Sequence, residues 1–500
     1  MTKIKASLGI DIGTSGTKLV LIDYAGEQRV FYHQDYDIEI QRQGWAEQDP
    51  ETWYRAVLLG LTYIQSEANK QNIEISAIGV SGQMHSLICL DRRLQVIRPA
   101  ILWADQRSTE IVTKLNHRND KETWGKWIGN PLAAGFTLPS WLWLQANEPD
   151  VASKTLILIQ PKDWVRFKLT GILATDESDA SATGFFDPHL MQWSQDIMSL
   201  AELGNEYFAE IHPSATITGT LLPSVAEVCG MSKRIPVIIG GSDQSMQAVA
   251  QGIVAEGDVS ITIGSGGQVF APISQPIHDP ELRVHLFCHA IAKMWHLEAA
   301  TLSAGLSLKW LRKIFGNRTS YKEMADEAQN VSAAKEGLYF LPYLNGERTP
   351  WMDGAIRGMF TGLTLHHQRA NLTRAVMEGV LFSLRQGLEC LEFSGISPKV
   401  LIASGGATRH NLWNQLAANI FELEIIVNNQ LEASARGAAI TAFMGAESLN
   451  YQVAIKLLGS KNKINSVFTP DSETENYQDS FEFYKQIYPK IKQINALIPG

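Results

Sequence analysis

Cysteine is scarce in this chain. The four present in 500 residues (Cys89, Cys229, Cys288 and Cys390) lie far apart and form no CxxC pair. That spacing excludes a disulfide framework and the usual structural zinc patterns, and it suits a reducing compartment. No apolar run approaches the length of a membrane span. Asp11 also interrupts the first apolar block where a secretory leader needs continuity, so a cytoplasmic protein without a membrane partner is expected. No Lys/Arg-rich tract occurs, and 43 basic against 52 acidic residues give a net charge of −9, which argues against nucleic acid as a partner. The motifs GxxxxGK(S/T), GxGxxG and GxSxG and the H-R-D catalytic loop are all absent, so any handling of phosphate must use other backbone. Low-complexity segments are absent too.

What is present begins with Leu8 to Asp23. Leu8, Ile10 and Ile12 alternate with Gly9, Asp11 and Gly13, which predicts a strand with one apolar face. Gly13 to Gly16 form a tight turn of small residues, and Lys18 to Asp23 read as the returning strand. Such a turn offers free backbone N–H groups and two hydroxyls, Thr14 and Ser15, beside the Asp11 carboxylate. An N–H nest binds phosphate, and a nearby carboxylate holds a metal ion or its waters. The plainer alternative is a hairpin with a polar turn.

A variant of this segment returns at Val259 to Phe270. Val259, Ile261 and Ile263 alternate as before, and Gly264 to Gly267 supply a second small turn. Gly264 falls on Gly13, Ser265 on Thr14 and Thr262 on Asp11. Each copy is followed by a short apolar run ending in a glycine turn, Ile78 to Gln83 and Val400 to Ala407, as expected where a strand delivers its C-terminal end to a ligand. Two halves with one topology are therefore expected, only the first keeping the acid. If both turns face one nucleotide, Asp11 serves the metal and Thr262 is a neutral partner.

A chain of this length exceeds one core, and 45% hydrophobic with 19% charged residues is the composition of a soluble globular enzyme. Helices are predicted over 51–70, 245–254, 368–392 and 411–421, and strands over 73–81, 235–239 and 400–403, with a further apolar segment at 96–103. The domain boundary is placed at Glu256 and Gly257. Trp-rich patches at Trp124 to Trp127 and Trp141 to Trp143 read as an insertion over the first sheet, with the rings in its core. The stretch 459–476 reads as irregular, and 480–497 as weakly helical.

Asp243 follows a buried strand and a diglycine turn and precedes a helix. Two roles fit equally: a helix N-cap, which contributes about 1 kcal/mol, or a general base that accepts a sugar hydroxyl proton as that oxygen attacks a phosphoryl group. Gln83 and His85, at another strand end, suit hydroxyl recognition, although a lone His there is more often a structural donor. Trp103 to Arg107 joins Asp105 to Arg107, which alone reads as a local ion pair. His285, Cys288 and His289 lack a spaced fourth ligand and make a poor zinc site. Glu347 and Arg348, in the loop Leu341 to Trp351, read as surface salt pairing on their own.

Taken together, Gly9 to Gly16, Gly82 to His85, Ile101 to Arg107, Asp243, Phe287 to Ala290, Leu341 to Pro350 and Gly405 to Trp413 resemble the FGGY family of carbohydrate kinases across nearly the whole chain. Met84, His85 and Phe287 to Ala290 tilt the likeness toward the bacterial xylulokinases within it. The resemblance implies an α/β fold of two actin-like (ribonuclease H-like) domains, a sugar-binding one over 1–256 and a nucleotide-binding one over 257–500, with a nucleotide/sugar cleft between them. It implies ATP and Mg²⁺ as cofactors, a small sugar as substrate, and phosphorylation of D-xylulose to D-xylulose 5-phosphate; a homodimer is compatible with it. By the same likeness Asp243 is the proton acceptor and Gln83, Met84, His85 and Asp105 contact the sugar. Asp11 serves the metal, and Gly13, Thr14, Ser15, Lys18, Gly264, Ser265 and Gly266 surround the phosphates. Gly406, Ala407 and Asn411 lie by the adenosine, and the loop with Glu347 and Arg348 lines the cleft.

The chain departs from the family pattern at three places near these ligands. The second turn, usually Gly-Thr-Ser-Gly, has Gly266 in its third position. Gln244 replaces an Asn after the base, and Ala104 and Gln106 replace Asn and Gly around Asp105. These changes bear on the choice of sugar. They leave open another ketopentose, polyol or sugar acid (ribulose, glycerol, gluconate), or a catalytically weak sugar-binding relative.

Overall fold

The computed structural model describes residues 3–428, 430, 432–458 and 466–495. Among them, two seven-stranded mixed sheets organise the α/β chain. The first contains β1 (Ile4–Ile12), β2 (Gly16–Asp23), β3 (Gln28–Asp35), β4 (Ile73–Gly82), β5 (Ile217–Thr220), β6 (Pro236–Ile238) and β7 (Gly241–Ser242), in the order β5-β6-β4-β1-β2-β3 with β7 beside β4. The second contains β8 (Ser260–Ile263), β9 (Gly267–Ile273), β10 (His285–Cys288), β11 (Trp295–Thr301), β12 (Val400–Ser404), β13 (Glu424–Val427) and β14 (Ser466–Phe468), ordered β10-β11-β9-β8-β12-β13-β14.

The expected repeat is a register-level repeat. β1 and β2 pair antiparallel with Asp11 opposite Lys18, and β1 runs parallel to β4 with Asp11 opposite Ser81. β8 and β9 pair antiparallel with Thr262 opposite Gln268, and β8 runs parallel to β12 with Thr262 opposite Ser404. Both β1 and β8 lie in sheet interiors, which is why their apolar positions are buried.

Helices cover the sheets: α1 (Pro50–Lys70), α2 (Pro161–Thr170), α3 (Glu177–Ser181), α4 (Asp243–Gln251), α5 (Arg369–Glu389), α6 (Asn411–Phe421), α7 (Ala433–Glu447) and α8 (Glu475–Asn495). α1 starts where Asp49 accepts from the Glu51 amide, with Pro50 at its first position. α4 begins two residues before the predicted start and ends at Gly252, which takes φ 77°. Of the segment 96–103, only Ala100–Ile101 is strand. Residues 459–465 and 496–497 of the two C-terminal expectations lie outside the described residues. The rest of the stretch expected to be irregular carries β14 and the start of α8, a 21-residue helix.

The boundary expected at 256 and 257 falls between the strands of the two sheets, yet α7, from the second half, packs on the first sheet. Its small residues let backbone meet backbone. A Cβ on Gly9 would lie 1.7 Å from the Ala435 carbonyl oxygen, and one on Gly79 would lie 2.0 Å from that of Ala438. Gly9 and Gly79 are thus contact residues for a helix, beyond their place in the strand alternation.

Each sheet has its own apolar core, the first built around Leu8, Ile10, Trp53 and Val80, the second around Ile261, Val269, Val380 and Leu416. A third, separate cluster holds the buried Trp124 and Trp141, so both rings lie in a core. No helix among the described residues is long and apolar enough to cross a membrane.

Candidate active site

A cavity of about 480 Å³ opens between the sheets. Asp11 and Lys18 line it from the first sheet, Thr262, Ser404, Gly405 and Gly406 from the second, Gln247 from α4, and Glu432 to Ser434 from the start of α7. Burial, opposed by Lys18, raises the Asp11 pKa to about 6, and its buried Oδ1 has no hydrogen-bond partner among the described residues. Lys18 Nζ stands 2.6 Å from Glu432 Oε2. Thr262 Oγ1 accepts from Gln247 Nε2 at 3.0 Å and lies 3.0 Å from Ser404 Oγ. Gly405, at φ 98°, brings its Cα so close to β8 that a Cβ would stand 2.5 Å from the Ile263 carbonyl oxygen.

The two turns sit at the ends of the strands that carry Asp11 and Thr262. Each closes on itself: the Gly13 amide donates to Gly16 O at 3.1 Å, and the Gly264 amide to Gly266 O at 3.0 Å. Gly13, Thr14, Ser15, Gly264, Ser265 and Gly266 are not among the residues lining the cavity, and neither are Ala407 and Asn411. Asn411 is exposed in the first turn of α6.

The first turn is wired to the neighbouring strand end. Trp103 Nε1 donates to Thr14 Oγ1 at 2.8 Å, and Thr14 Oγ1 donates to Gln83 Oε1 at 3.0 Å. Gln48 Nε2 holds the Thr14 carbonyl at 2.8 Å. Gln83 is 2% exposed, so it spends its amide on this network.

Beside it lies an aromatic cluster. His85 takes φ 69°, and its Nδ1 is 2.5 Å from the Ala182 carbonyl oxygen. A carbonyl only accepts, so Nδ1 carries the proton and Nε2 keeps its lone pair. The ring stacks on Phe136, with centroids 4.2 Å apart. Burial lowers the His85 pKa to about 3, so the ring is a neutral acceptor at any working pH. His285 repeats the arrangement from the second sheet. Its Nδ1 faces Asn130 Oδ1 at 3.2 Å, that oxygen accepts the Leu286 amide, and burial holds the ring well below its ordinary pKa. Met84 packs with Phe136, Ala182 and Phe287 as an apolar floor. Arg348 adds a guanidinium whose charge is felt by both histidines and by Glu298. Among the described residues no ion pair or hydrogen bond engages that guanidinium.

Asp243 joins the two regions. The N-cap of α4 is Ser242, and Asp243 is the first helical residue, its Oδ1 accepting from the Gln244 amide at 2.8 Å. Of the two roles open in the sequence, the N-cap is therefore not the one this carboxylate fills. Burial, followed by the negative charges of Asp11 and Glu298, pushes its pKa well above the carboxylate range. Glu298, on β11, accepts from Gln268 Nε2 at 3.0 Å, and burial raises it to about 7.

Asp105 has a different setting from the one the resemblance implies. Its two oxygens accept from the Ala46 amide at 2.6 Å and from the Arg107 amide, Nε and Nη2 at 2.8–2.9 Å. Arg107 also reaches Glu47 at 2.7 Å and lies 3.7 Å over the Trp45 ring. This is the local ion pair, buried rather than exposed, and its acceptor capacity is used internally. His285, Cys288 and His289 do not converge on a point: His289 Nδ1 accepts from the Ile291 amide and Nε2 faces the Ile253 carbonyl. Residues that sequence reasoning missed are Glu298, Gln247 and Glu432. Glu298 could have been found as the one acid inside the fully buried strand Trp295–Thr301. Glu432 and Gln247 carry no local signal, because the cavity is assembled from distant segments.

The sequence pattern of the N-terminal domain of the FGGY family of carbohydrate kinases matches residues 6–250, and that of the C-terminal domain matches residues 259–446. The chain is 32% identical to the xylulose kinase of Bacillus subtilis (strain 168), covering 99% of each. It is similar to a solved ligand-bound xylulose kinase from Lactobacillus acidophilus, with a TM-score of 0.92 and 27% identity over 98% of this chain and 99% of that one. It is as similar to a gluconate kinase from the same organism, with a TM-score of 0.92 and 26% identity over 98% of both chains.

Proposed function

The chain belongs to the FGGY family of carbohydrate kinases, and we propose that within it the protein phosphorylates D-xylulose at its primary C5 hydroxyl with ATP, releasing D-xylulose 5-phosphate and ADP. The observation that carries this reading is Asp243, a buried carboxylate whose pKa is raised by burial and by the charges of Asp11, which lines the cavity, and of Glu298, which pairs in register with His285. Asp243 takes the hydroxyl proton while that oxygen forms its bond to the γ-phosphorus and the bond to the β-phosphate oxygen breaks. His85 Nε2 and His285 Nε2 accept hydrogen bonds from sugar hydroxyls, and Met84 and Phe136 cover the carbon chain.

The cavity takes the nucleotide, with Lys18 toward the phosphates and Gly406 toward the nucleoside; the turns at 13–15 and 264–266 border the phosphates, and Ala407 and Asn411 lie on the adenosine side. Asp11 offers a buried oxygen with no hydrogen-bond partner among the described residues, which fits a hard cation such as Mg²⁺ or its waters. When bound, Mg²⁺ supplies charge neutralisation at the transferring phosphoryl group. Gln83 and Asp105 act through the Thr14 and Arg107 networks.

A neutral sugar is favoured over a sugar acid by charge. Arg348 is flanked by the carboxyl groups of Glu298 and Glu347, and Asp243 by those of Asp11 and Glu298, so an aldonate carboxylate would enter a site already rich in acids. The likeness to gluconate kinase keeps the alternative concrete, since Arg348 is the group that would pair with such a carboxylate. ADP release with Mg·ATP across D-xylulose, D-ribulose, glycerol and gluconate tests the reading. The expected kcat/KM order places D-xylulose first by at least tenfold. Preference for gluconate overturns the substrate, and no ADP release with any sugar overturns the kinase.

A further inference from the structure

One five-residue helix is tied to the base segment, to the sugar-side histidine and to the second sheet. At the start of α3, the Ser242 amide donates to Ser178 Oγ at 2.9 Å, and Ser178 Oγ donates to Asp176 Oδ2 at 2.5 Å. Ser242 immediately precedes Asp243. At the other end, the Ala182 carbonyl fixes His85 Nδ1, and Ser181 Oγ accepts the amide of Cys288 on β10 at 2.9 Å.

Beneath this helix lies an ion cluster with no solvent access. Lys162 Nζ, on α2, stands 2.5 Å from Asp163 Oδ1, 3.2 Å from Asp176 Oδ1 and 3.3 Å from Asp179 Oδ2, all with fully buried side chains. Burial pulls the Lys162 pKa down, but the three carboxylates outweigh it and the ammonium stays charged. Ser214 Oγ adds a donor to Asp176 Oδ2 at 2.8 Å. Lys162 also packs under the sugar-side strand end, since a Cβ on Gly82 would stand 3.2 Å from Lys162 Cβ.

Burying several charges in an apolar core stabilises a fold weakly at best, and well-packed hydrophobic residues do as well or better. What such a cluster does supply is direction, because both oxygens of Asp163 and both of Asp176 are held by donors at fixed places. Resting on the reading of Asp243 as proton acceptor, we propose that Ser178 and Lys162 are positioning residues for phosphoryl transfer. Lys162 sets Asp176, Asp176 sets Ser178, and Ser178 holds the amide before Asp243. The far end of the same helix sets His85, so proton acceptor and hydroxyl acceptor are placed by one rigid body.

The Ser178→Ala variant removes the link and leaves every charge in place. It is expected to lower kcat about 10²-fold, the scale of a misplacement near 1 Å, with KM for ATP within about twofold of the parent. The acid limb of its pH–kcat profile is expected to move as Asp243 shifts against Asp11 and Glu298. Hydrogen exchange at residues 240–243 should quicken while α7 stays protected. Asp176→Asn, which keeps the shape and weakens the hold of Lys162, should move kcat and exchange the same way if Ser178→Ala does not fold. Unchanged kcat, acid limb and exchange at 240–243 in the folded variant overturn the proposal. Absence of phosphoryl transfer in the unaltered protein strikes the kinase reading instead, and the exchange readout still decides whether α3 holds the base segment.

Discussion

Asp11 and Thr262 occupy the same register position in two hairpins, one opposite Ser81 and the other opposite Ser404 on parallel strands, and both line one cavity. A repeated frame therefore presents an acid from one side and a hydroxyl from the other. Two acids facing one polyphosphate would repel it, whereas one acid suffices to hold a cation.

Asp11→Asn should lower kcat by at least about 10²-fold and raise the Mg²⁺ concentration needed for half-maximal rate. Chelation of divalent cations should abolish turnover of the unaltered protein and restore it on re-addition of Mg²⁺. A Mg²⁺ titration of initial rates in both proteins checks this; identical Mg²⁺ dependence would remove Asp11 from the cation.

Asp243→Asn should cost about 10²–10⁴-fold in kcat, the usual contribution of a general base. Because the carboxylate is not the cap of α4 and, among the described residues, is held by local backbone amides, the melting temperature should stay within a few degrees. Turnover near the parent value would falsify the assignment.

The pH dependence has a defined sign. Asp243 must be ionised to take the proton, and burial, Asp11 and Glu298 all raise its pKa. The rate should thus rise with pH along an acid limb lying above the ordinary carboxylate range. Glu298→Gln removes one negative neighbour, so the limb should move to lower pH. A limb that stays put or moves upward in pH–rate profiles of the two proteins counts against the arrangement.

Gly9→Ala is predicted to destabilise the protein by about 1–3 kcal/mol or more, because its Cβ would meet the Ala435 carbonyl at 1.7 Å. Denaturant unfolding measures this. A change under about 0.5 kcal/mol would show that α7 can retreat from the sheet without loss.

Much of the frame was legible because it is written in local periodicity. The 8–23 hairpin, its copy at 259–270 and the helix over 411–421 needed only alternation, glycine turns and an apolar face. Asp243 was legible as a candidate with two roles open, since capping and catalysis want the same residue at the same spacing. Asp105 read as a sugar ligand only by likeness, and its commitment to Arg107 and the Ala46 amide depends on a chain reversal that no local pattern encodes. α7 was missed altogether: its Ala- and Gly-rich run has no amphipathic stripe, because it is clasped between a sheet and α4. Glu298 and the Lys162 cluster lie in buried runs, where a charged residue signals its importance but not its partners.

The seating of α7 on the first sheet also has a consequence for biosynthesis. β1, β2 and β4 emerge from the ribosome early, but the helix that covers Gly9 and Gly79 leaves it only after residue 447. Until then the nascent first sheet carries a glycine-floored groove awaiting its own distal segment. The N-terminal half cannot complete its packing as an autonomous unit, so the cleft forms only once residues 433–447 have been made and docked.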